Sequence, residues 1–293
     1  MDDTARQAAL SEIYALAGHL LWRAAARVYV ELDRMLPGRT DLHAYAVLIG
    51  LADEEPQTQS SLARMTCVSG TTLTSVAQAL QRDGLVERVR NPDDRRSYSL
   101  TRTAEGRSVV RRWAPHVRRL EERLTESFSR ADADRLRGLL VQVVGDQLDP
   151  RTPRELMEST AFLITRAHLR AHREFFTALE PLGIEPRHYG TLRLLQVAGP
   201  ATQGELAGLL DVSPATVVQI VDHLEHRGLV ARQRDPADRR AYRLHLSDAA
   251  HRVVVKAEPI ASAVLADRIG GPRSRDHRDL VRLLAELLSS LDG

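Results

Sequence analysis

The sequence predicts a mainly α-helical protein with small β-wings, in which two winged helix-turn-helix domains follow one another in tandem. Three observations predict this fold class: a long internal repeat, apolar residues at helical spacing, and one short alternating hairpin in each copy. With an offset of 144 residues, 19 of the 44 positions in the window 57–100 are identical to those of 201–244. We therefore expect domain 1 at residues 1–147 and domain 2 at residues 148–293, joined by a short polar linker near 145–154.

Four helices are predicted at the start of the first copy. Apolar residues at steps of three and four predict one long helix over Ala5–Met35 and a second over Leu42–Ala52. Thr58 and Ser69 are expected to cap the third and fourth helices, because their hydroxyl oxygens can accept hydrogen bonds from backbone N–H groups of the first turn. The buried stripe predicted for the fourth helix consists of Leu73, Val76, Ala77 and Leu80.

A hairpin and two further helices complete the copy. Gly84 is predicted to end the fourth helix in a left-handed conformation, and Leu85–Arg90 and Ser97–Arg102 alternate as strands around a turn-rich tip. The helix that follows contains Pro115, and the second copy contains Pro259 at the same place. We expect a kink or a break of the helix at both prolines.

Composition excludes several classes of protein. The chain holds 41 basic and 39 acidic residues, a net charge of +2, so any basic surface must be local. Cys67 is the only cysteine, which excludes an intrachain disulfide and a thiolate metal cluster. The sequence has no Gly-rich phosphate loop, no nucleophile elbow and no apolar run long enough to span a bilayer. We expect a cytoplasmic protein that is not an enzyme and needs no cofactor.

Two patterns, each present in both copies, carry a family resemblance. The second copy reads Ser213-Pro214-Ala215-Thr216-Val217, then Leu224-Glu225-x-x-Gly228-Leu229-Val230-x-Arg232, then Asp238-Arg239-Arg240. The first copy matches this pattern at Gly84-Leu85-Val86-Glu87-Arg88 and at Asp94-Arg95-Arg96. Both copies resemble the MarR (multiple antibiotic resistance regulator) family nearly end to end. The resemblance implies a dimeric winged-helix repressor that binds double-stranded DNA and releases it when a small aromatic or phenolic effector binds. Because one chain carries both copies, we interpret it as a monomeric single-chain pseudo-dimer.

The predicted DNA-binding residues lie on the fourth helix of each copy and on the wing tips. With the apolar stripe buried, helical geometry turns the opposite side chains outward, where they can reach base edges or phosphates. The resemblance gives the wing arginines a minor-groove role, with Asp94 and Asp238 holding them. The residues predicted to contact DNA are Thr71, Thr72, Thr74, Ser75, Gln78, Arg95 and Arg96 in the first copy and Ala215, Thr216, Val218, Gln219, Arg239 and Arg240 in the second.

Charge distinguishes the two copies. Each wing, residues 88–102 and 232–246, holds five arginines against two aspartates, a net charge of +3. The helix-turn-helix segment has a net charge of zero at residues 57–87 but of −3 at residues 201–231. We therefore expect the second head to bind phosphate more weakly and the operator to be an imperfect palindrome. The alternative is a protein-interaction or anti-regulator module, in which the winged helix of domain 2 has lost DNA binding.

Candidate effector-binding residues come from the first two helices of each copy. They are Trp22, Arg23, His43 and Tyr45 in the first copy and Arg166, His188 and Tyr189 in the second. Core packing is the alternative role of each aromatic ring. His168 and His172 have a spacing that could share a metal ion, but no third ligand completes a site, so no metal is expected. Cys67 is expected to be structural rather than a redox switch.

Overall fold

The protein is mainly helical with two small antiparallel sheets, as the sequence predicts. This computed structural model describes residue 11 and residues 16–35, 42–52, 55–90, 98–210, 212–235 and 242–292. The chain forms two compact units. We call residues 21–170 with 282–293 the first-head unit, and residues 1–20 with 171–281 the second-head unit. The domain boundary between residues 147 and 148 marks the sequence repeat and stays a prediction.

The helices and strands follow the predicted order. Up to residue 179 the helices are α1 (Ala17–Met35), α2 (Leu42–Gly50), α3 (Gln59–Met65), α4 (Gly70–Arg82), α5 (Ala104–Leu124), α6 (Arg130–Val144), α7 (Arg154–Met157) and α8 (Thr160–Leu179), and the strands are β1 (Gln57–Thr58), β2 (Val86–Arg90) and β3 (Tyr98–Arg102). They continue as α9 (Pro186–Ala198), β4 (Ala201–Thr202), α10 (Gln203–Leu210), α11 (Pro214–His226), β5 (Val230–Arg234), β6 (Tyr242–Leu246), α12 (Asp248–Ala263), α13 (Ala266–Ile269) and α14 (Arg275–Asp292). The predicted helix start at Ala5 and the predicted wing turn at Asn91–Asp94 lie outside the described residues.

The caps predicted for the first head are present. The side-chain oxygen of Thr58 accepts from the backbone N–H of Ser61 at 3.1 Å, and that of Ser69 accepts from the N–H of Thr72 at 3.2 Å. The predicted stripe of α4 is buried, and Gly84 has a left-handed φ of 67° after the helix ends. Helix α4 is therefore fixed at both ends, with its polar face outward.

The second head repeats this arrangement in its own unit. Ser213 caps α11 by accepting from the N–H of Thr216 at 3.2 Å, and Pro214 occupies the first helical position, where its fixed φ suits the helix. The helix is followed by Gly228, whose φ is 64°. The buried stripe of α11 consists of Val217, Ile220, Val221 and Leu224.

Each wing belongs to a three-stranded antiparallel sheet, which has one strand more than the sequence predicts. The strand orders are β1-β3-β2 and β4-β6-β5. Strand β1 joins through the pair Gln57–Leu100, and β4 through the equivalent pair Ala201–Leu244. These strands are only two residues long, so they have no alternating pattern that sequence analysis could detect. The extra strand attaches each wing to the start of its helix-turn-helix.

The two internal prolines do not break their helices. Helix α5 continues through Pro115 and α12 through Pro259, so the predicted alternative of a break is wrong at both positions, and the alternative of a kink stays a prediction. A proline removes one intrahelical hydrogen bond and crowds the preceding turn. In α5 the buried side chains of Val109 and Leu120 lie on either side of the proline, and their packing offsets that loss.

The predicted linker between the copies is packed within the first-head unit. It contains a short 3-10 helix at Gly145–Gln147 and leads into helix α7. The hydroxyl of Thr152 donates to the carbonyl oxygen of Met65 at 3.0 Å, at the end of α3. The guanidinium of Arg170 donates to the carbonyl oxygen of Val144 at 2.6 Å. We call residues 145–153 the junction, since they connect the copies and also contact the turn before α4.

No described helix is by itself long and apolar enough to cross a membrane. Helices α10 and α11 meet the criteria of length and composition only as a pair, across a bend of 114°.

Candidate nucleic-acid interface

Helix α4 presents a polar surface in the first head. Thr71, Thr74, Ser75 and Gln78 are exposed, whereas Thr72 is half-buried. The hydroxyl of Thr72 lies 2.8 Å from that of Ser69, within the cap. The hydroxyls of Thr74 and Ser75 donate to backbone carbonyls one turn earlier, at 2.8 and 3.3 Å. These hydroxyls can rotate outward to bind phosphates or bases, because backbone oxygens in a helix already accept from the helix itself.

Helix α11 presents a surface of different chemistry. Ala215, Val218, Gln219 and Asp222 are exposed along one stripe, and Val218 remains 41% exposed. Thr216 is half-buried beside the Ser213 cap, as Thr72 is in the first head. Gln219 can pair with adenine, and the apolar side chains can contact a thymine methyl group. The two recognition helices therefore offer unlike sets of contacts.

The predicted wing-tip residues lie outside the described residues. They are Asp94, Arg95, Arg96, Asp238, Arg239 and Arg240. The strands that carry the tips are described, and they pair in equivalent register, Arg90 with Tyr98 and Arg234 with Tyr242.

A cluster at the base of the second wing was missed by the sequence analysis. Arg232 on β5 forms ion pairs with two carboxylates of α11: its Nη2 lies 2.6 Å from Oδ1 of Asp222, and its Nη1 donates to Glu225. We call these three residues the wing-base cluster. The hydrogen bond from Arg232 to Asp222 is the main cause that raises the pKa of the guanidinium. The net negative charge of residues 201–231 was the sequence signal for this cluster, but it does not show which arginine the carboxylates bind.

The equivalent positions of the first head carry no carboxylates. Gln78 and Gln81 replace the two acids, and Arg88 lies with its guanidinium carbon 4.7 Å from the centre of the Tyr98 ring. That contact is a cation–π interaction, which brings no negative charge to the guanidinium.

Two of the predicted effector-binding residues meet in the first-head unit. Nη2 of Arg166 lies 3.0 Å from Nδ1 of His43, although 123 residues separate them in the sequence. Arg166 is 1% exposed, and its guanidinium carbon lies 5.0 Å from the ring centre of Phe162. A buried guanidinium beside an aromatic ring and an imidazole can bind the carboxylate of an aromatic acid.

The other predicted effector-binding residues of the first copy make contacts with further residues of the first-head unit. Tyr45 lies near Trp113, and burial is the main cause that raises the pKa of its hydroxyl. Arg23 lies 3.4 Å from Asp292 and Trp22 is half-buried, both in the first-head unit.

His188 and Tyr189 are core residues of the second-head unit. The ring of His188 stacks on His223 with centres 4.2 Å apart, and the ring of Tyr189 meets Phe175 edge-on at 5.5 Å. Burial, followed by the neighbouring His223, lowers the pKa of His188 to about 4. Both residues have the packing role that was the alternative for each aromatic ring.

Cys67 and the histidines offer no metal centre in the described part of the chain. Among those residues, no three His, Cys, Asp or Glu side chains are grouped so as to hold a metal ion. Burial is the main cause that raises the pKa of the Cys67 thiol. A raised thiol pKa lowers the thiolate fraction and hence the reactivity of the sulfur.

Comparisons with known proteins match both heads. The family model described as MarR family matches residues 42–98 and 184–242. A protein of Thauera aromatica, assigned as a transcriptional regulatory protein for the hcr operon, is 33% identical over 87 residues, which are 29% of this chain and 52% of that protein. The chain therefore spans about half the length of this curated relative.

Two solved structures of proteins named CouR are also similar. CouR bound to a 23-mer DNA duplex is 32% identical, over 45% of this chain and 94% of that chain, with a TM-score of 0.42. CouR from Rhodococcus jostii RHA1 bound to p-coumaroyl-CoA is 29% identical, over 39% of this chain and 81% of that chain, with a TM-score of 0.37.

Proposed function

The chain belongs to the MarR family, and we propose that it is a sequence-specific, DNA-binding transcriptional regulator. One observation carries the proposal: a capped recognition helix with an exposed face, followed by a wing, occurs twice in one chain. Such helices enter the major groove, and wings reach the neighbouring backbone or minor groove. The proposal assigns no catalytic activity to the chain.

We further propose that both heads read one operator as an intramolecular pseudo-dimer. The exposed stripes differ, with Thr74 and Gln78 in the first head replaced by Val218 and Asp222 in the second. Because the two recognition helices expose different side chains, the two half-sites should differ in sequence. Their centres should lie about one helical turn apart. Selection of duplexes from a random pool by the full chain should return an imperfect palindrome. A perfect palindrome would contradict this proposal.

The linkage of the heads has a kinetic and thermodynamic consequence. When one head is bound, the covalent chain raises the effective concentration of the other. Full-site occupancy should therefore persist on dilution, with no step of subunit dissociation. Loss of half-site pairing at low protein concentration in footprinting would show that the functional unit needs a second chain.

We propose that the effector is a small aromatic or phenolic acid that binds at Arg166 and His43. The support is the buried guanidinium of Arg166 at 3.0 Å from the His43 ring, beside Phe162. Titration calorimetry with aromatic carboxylates and with p-coumaroyl-CoA should identify a ligand whose affinity falls at least tenfold in Arg166→Gln. Arg112→Gln, which alters an exposed arginine paired with Glu105 in the same unit, is the matched control. Release of the selected duplex by that ligand would identify the chain as a repressor. Equal ligand affinity of Arg166→Gln and the control variant would contradict the proposed effector site.

A second candidate function is protein interaction through the second head. The exposed Val218 beside Asp222, in a segment with a net charge of −3, favours it. Gel-shift assays of Arg96→Gln and Arg240→Gln distinguish the candidates. Comparable losses of DNA affinity mean two working heads, and loss only from Arg96→Gln means that the second head no longer binds DNA.

A further inference from the structure

The N-terminal half of helix α8 is fixed at two points within the first-head unit. The carboxylate of Glu121 on α5 accepts hydrogen bonds from the backbone N–H groups of the first two residues of α8, at 2.8 and 3.1 Å. Further along the helix, Nη1 of Arg170 lies 2.5 Å from Oδ1 of Asp146 in the junction. A carboxylate at a helix start satisfies N–H groups that have no partner within the helix. The segment between these points, which carries Phe162 and Arg166, therefore has a defined position in this unit.

This segment belongs to the second copy, whereas the imidazole beside it belongs to the first. Phe162 and Arg166 lie one helical turn apart, and both are buried. Arg166 contacts His43 of α2 at 3.0 Å, and His43 is only half-buried. The guanidinium and the ring thus come from one copy and the imidazole from the other. The His43 side is the less buried side of the pair, so an effector would approach from there.

The equivalent positions, at an offset of 144 residues, carry none of these groups. Gly18 replaces Phe162, Trp22 replaces Arg166, Ala26 replaces Arg170, Arg187 replaces His43, and Leu265 replaces Glu121. Glycine offers no ring, tryptophan no positive charge, and leucine no acceptor for the N–H groups of a helix start. The two copies therefore differ both in the groups that would contact an effector and in the groups that fix them in place.

The arginine that the second copy has in exchange lies in different surroundings. The side chain of Arg187 is 50% exposed, and its Nε lies 2.7 Å from Oε2 of Glu185. Charges in contact with water interact weakly because water screens them, whereas a buried guanidinium interacts strongly with a carboxylate. Arg187 should therefore bind the carboxylate of a small acid far more weakly than the buried Arg166 does.

We propose that each chain binds one aromatic carboxylate, at a single site to which both copies contribute: Arg166 and Phe162 from the second copy and His43 from the first. The inference rests on the effector site proposed above and adds its stoichiometry and its restriction to the first-head unit. A symmetric dimer of identical chains presents every site twice. The unlike copies of this chain present the site once.

The number of molecules bound by the full wild-type chain tests the inference. Titration calorimetry with benzoate, 4-hydroxybenzoate and 4-hydroxycinnamate should give one bound molecule per chain. Release of the selected duplex by the same acids should follow a hyperbolic curve with a Hill coefficient of about 1, because a single site cannot bind cooperatively. Both measurements use the wild type, so they do not depend on the stability of a variant.

Matched variants locate the site in the first-head unit. Arg166→Gln removes the guanidinium, and His43→Arg introduces the residue of the second copy and places two positive charges side by side. Each should weaken binding at least about tenfold. Arg187→Gln, at the position equivalent to His43, is the control and should change neither affinity nor stoichiometry. Thermal unfolding checks that each variant is folded.

Other results would overturn the inference. Two equivalent molecules bound per chain would contradict the single site, although the proposed class of effector would stand. Binding that is lost in Arg187→Gln but kept in folded Arg166→Gln would place the site in the second head. If none of the three acids binds the folded wild type, the proposed effector site itself fails and the inference fails with it. Selection of no duplex by the wild type would refute the DNA-binding function and would leave the measured stoichiometry unaffected.

Discussion

The thiol of Cys67 donates a hydrogen bond to the backbone carbonyl oxygen of Gln147, with sulfur and oxygen 3.0 Å apart. Cys67 has a φ of 50°, a left-handed conformation that is uncommon for a residue with a side chain. It lies in the turn that separates α3 from α4. The bond therefore ties the turn before the first recognition helix to the junction between the copies.

The Cys67 thiol should react slowly with alkylating reagents. Burial raises its pKa, the nearby Asp149 acts in the same direction, and Arg166 and Arg170 oppose it. Because the pKa is raised, less thiolate is present near neutral pH than in the unfolded chain. Alkylation by iodoacetamide should be at least about tenfold slower in the native protein than in urea. Equal rates in the two states would show that the thiol is neither buried nor hydrogen-bonded in solution.

Thr152→Val should destabilise the first-head unit by about 1–2 kcal/mol. The substitution keeps the shape of the side chain but removes the donor that bonds the Met65 carbonyl oxygen at 3.0 Å, at a position that is 9% exposed. Urea unfolding measures the loss. Thr177→Val, at an exposed position of α8, is the control and should change stability by less than about 0.5 kcal/mol. Equal effects of the two variants would mean that the junction is not bonded to α3.

The second-head unit should lose stability in mild acid because of His188. Its ring is 1% exposed, and Nδ1 accepts a hydrogen bond from the N–H of Glu185 at 3.1 Å. The charged groups that act on it are Glu185, Arg187 and Arg227, along with the stacked ring of His223. Burial is the main cause that lowers its pKa from 6.5 to about 4, so the folded state holds the ring neutral while the unfolded state takes up a proton.

The stabilisation of the folded state that comes with a neutral His188 ring is fully present above pH 6.5 and is lost as the pH falls towards 4. Over that interval the loss is at most about 3 kcal/mol. Thermal unfolding of the wild type and His188→Gln, compared at neutral pH and near pH 4.5, measures the contribution. The stability of His188→Gln should depend less on pH, since glutamine keeps an acceptor for the cap and does not titrate. Parallel pH profiles would assign the acid sensitivity to other groups.

Substitutions of the two capping serines should distinguish effects on folding from effects on DNA binding. Ser69→Ala and Ser213→Ala each remove the acceptor of one backbone N–H at 3.2 Å, at a cost of about 1 kcal/mol. Ser69→Asp and Ser213→Asp keep an acceptor and favour the positive end of the helix, so the folded state should be retained. The added carboxylate would face phosphate, and DNA affinity should therefore fall in the aspartate variants. Full DNA affinity in both aspartate variants would place the helix starts away from DNA.

Local signals were sufficient to predict the framework of each head. Ser69, Ser213 and Gly84 act within one turn of their own position, so the sequence shows their role directly. The buried stripes followed from helical spacing alone. The break considered for Pro115 did not occur, because the local cost of proline was predicted but the packing of the surrounding helix was not.

Long-range pairings were predictable only in part. Arg166 and His43 were both named as effector candidates, but nothing local indicates that residues 123 positions apart meet. The pairing of Arg232 with Asp222 and Glu225 depends on the approach of strand β5 to helix α11, which charge counting does not contain. Strands β1 and β4 depend in the same way on the distant β3 and β6.

Each compact unit consists of segments from both copies, and this limits where the chain can be cut into two parts. Residues 148–170 and 282–293 come from the second copy, yet they belong to the unit that contains the first recognition helix. Within the first copy, residue 11 and residues 16–20 belong to the other unit. A stop codon between the copies would therefore truncate one unit and leave only a fragment of the other. Separate expression of the two copies should therefore give neither compact unit in full, because each copy encodes part of both units.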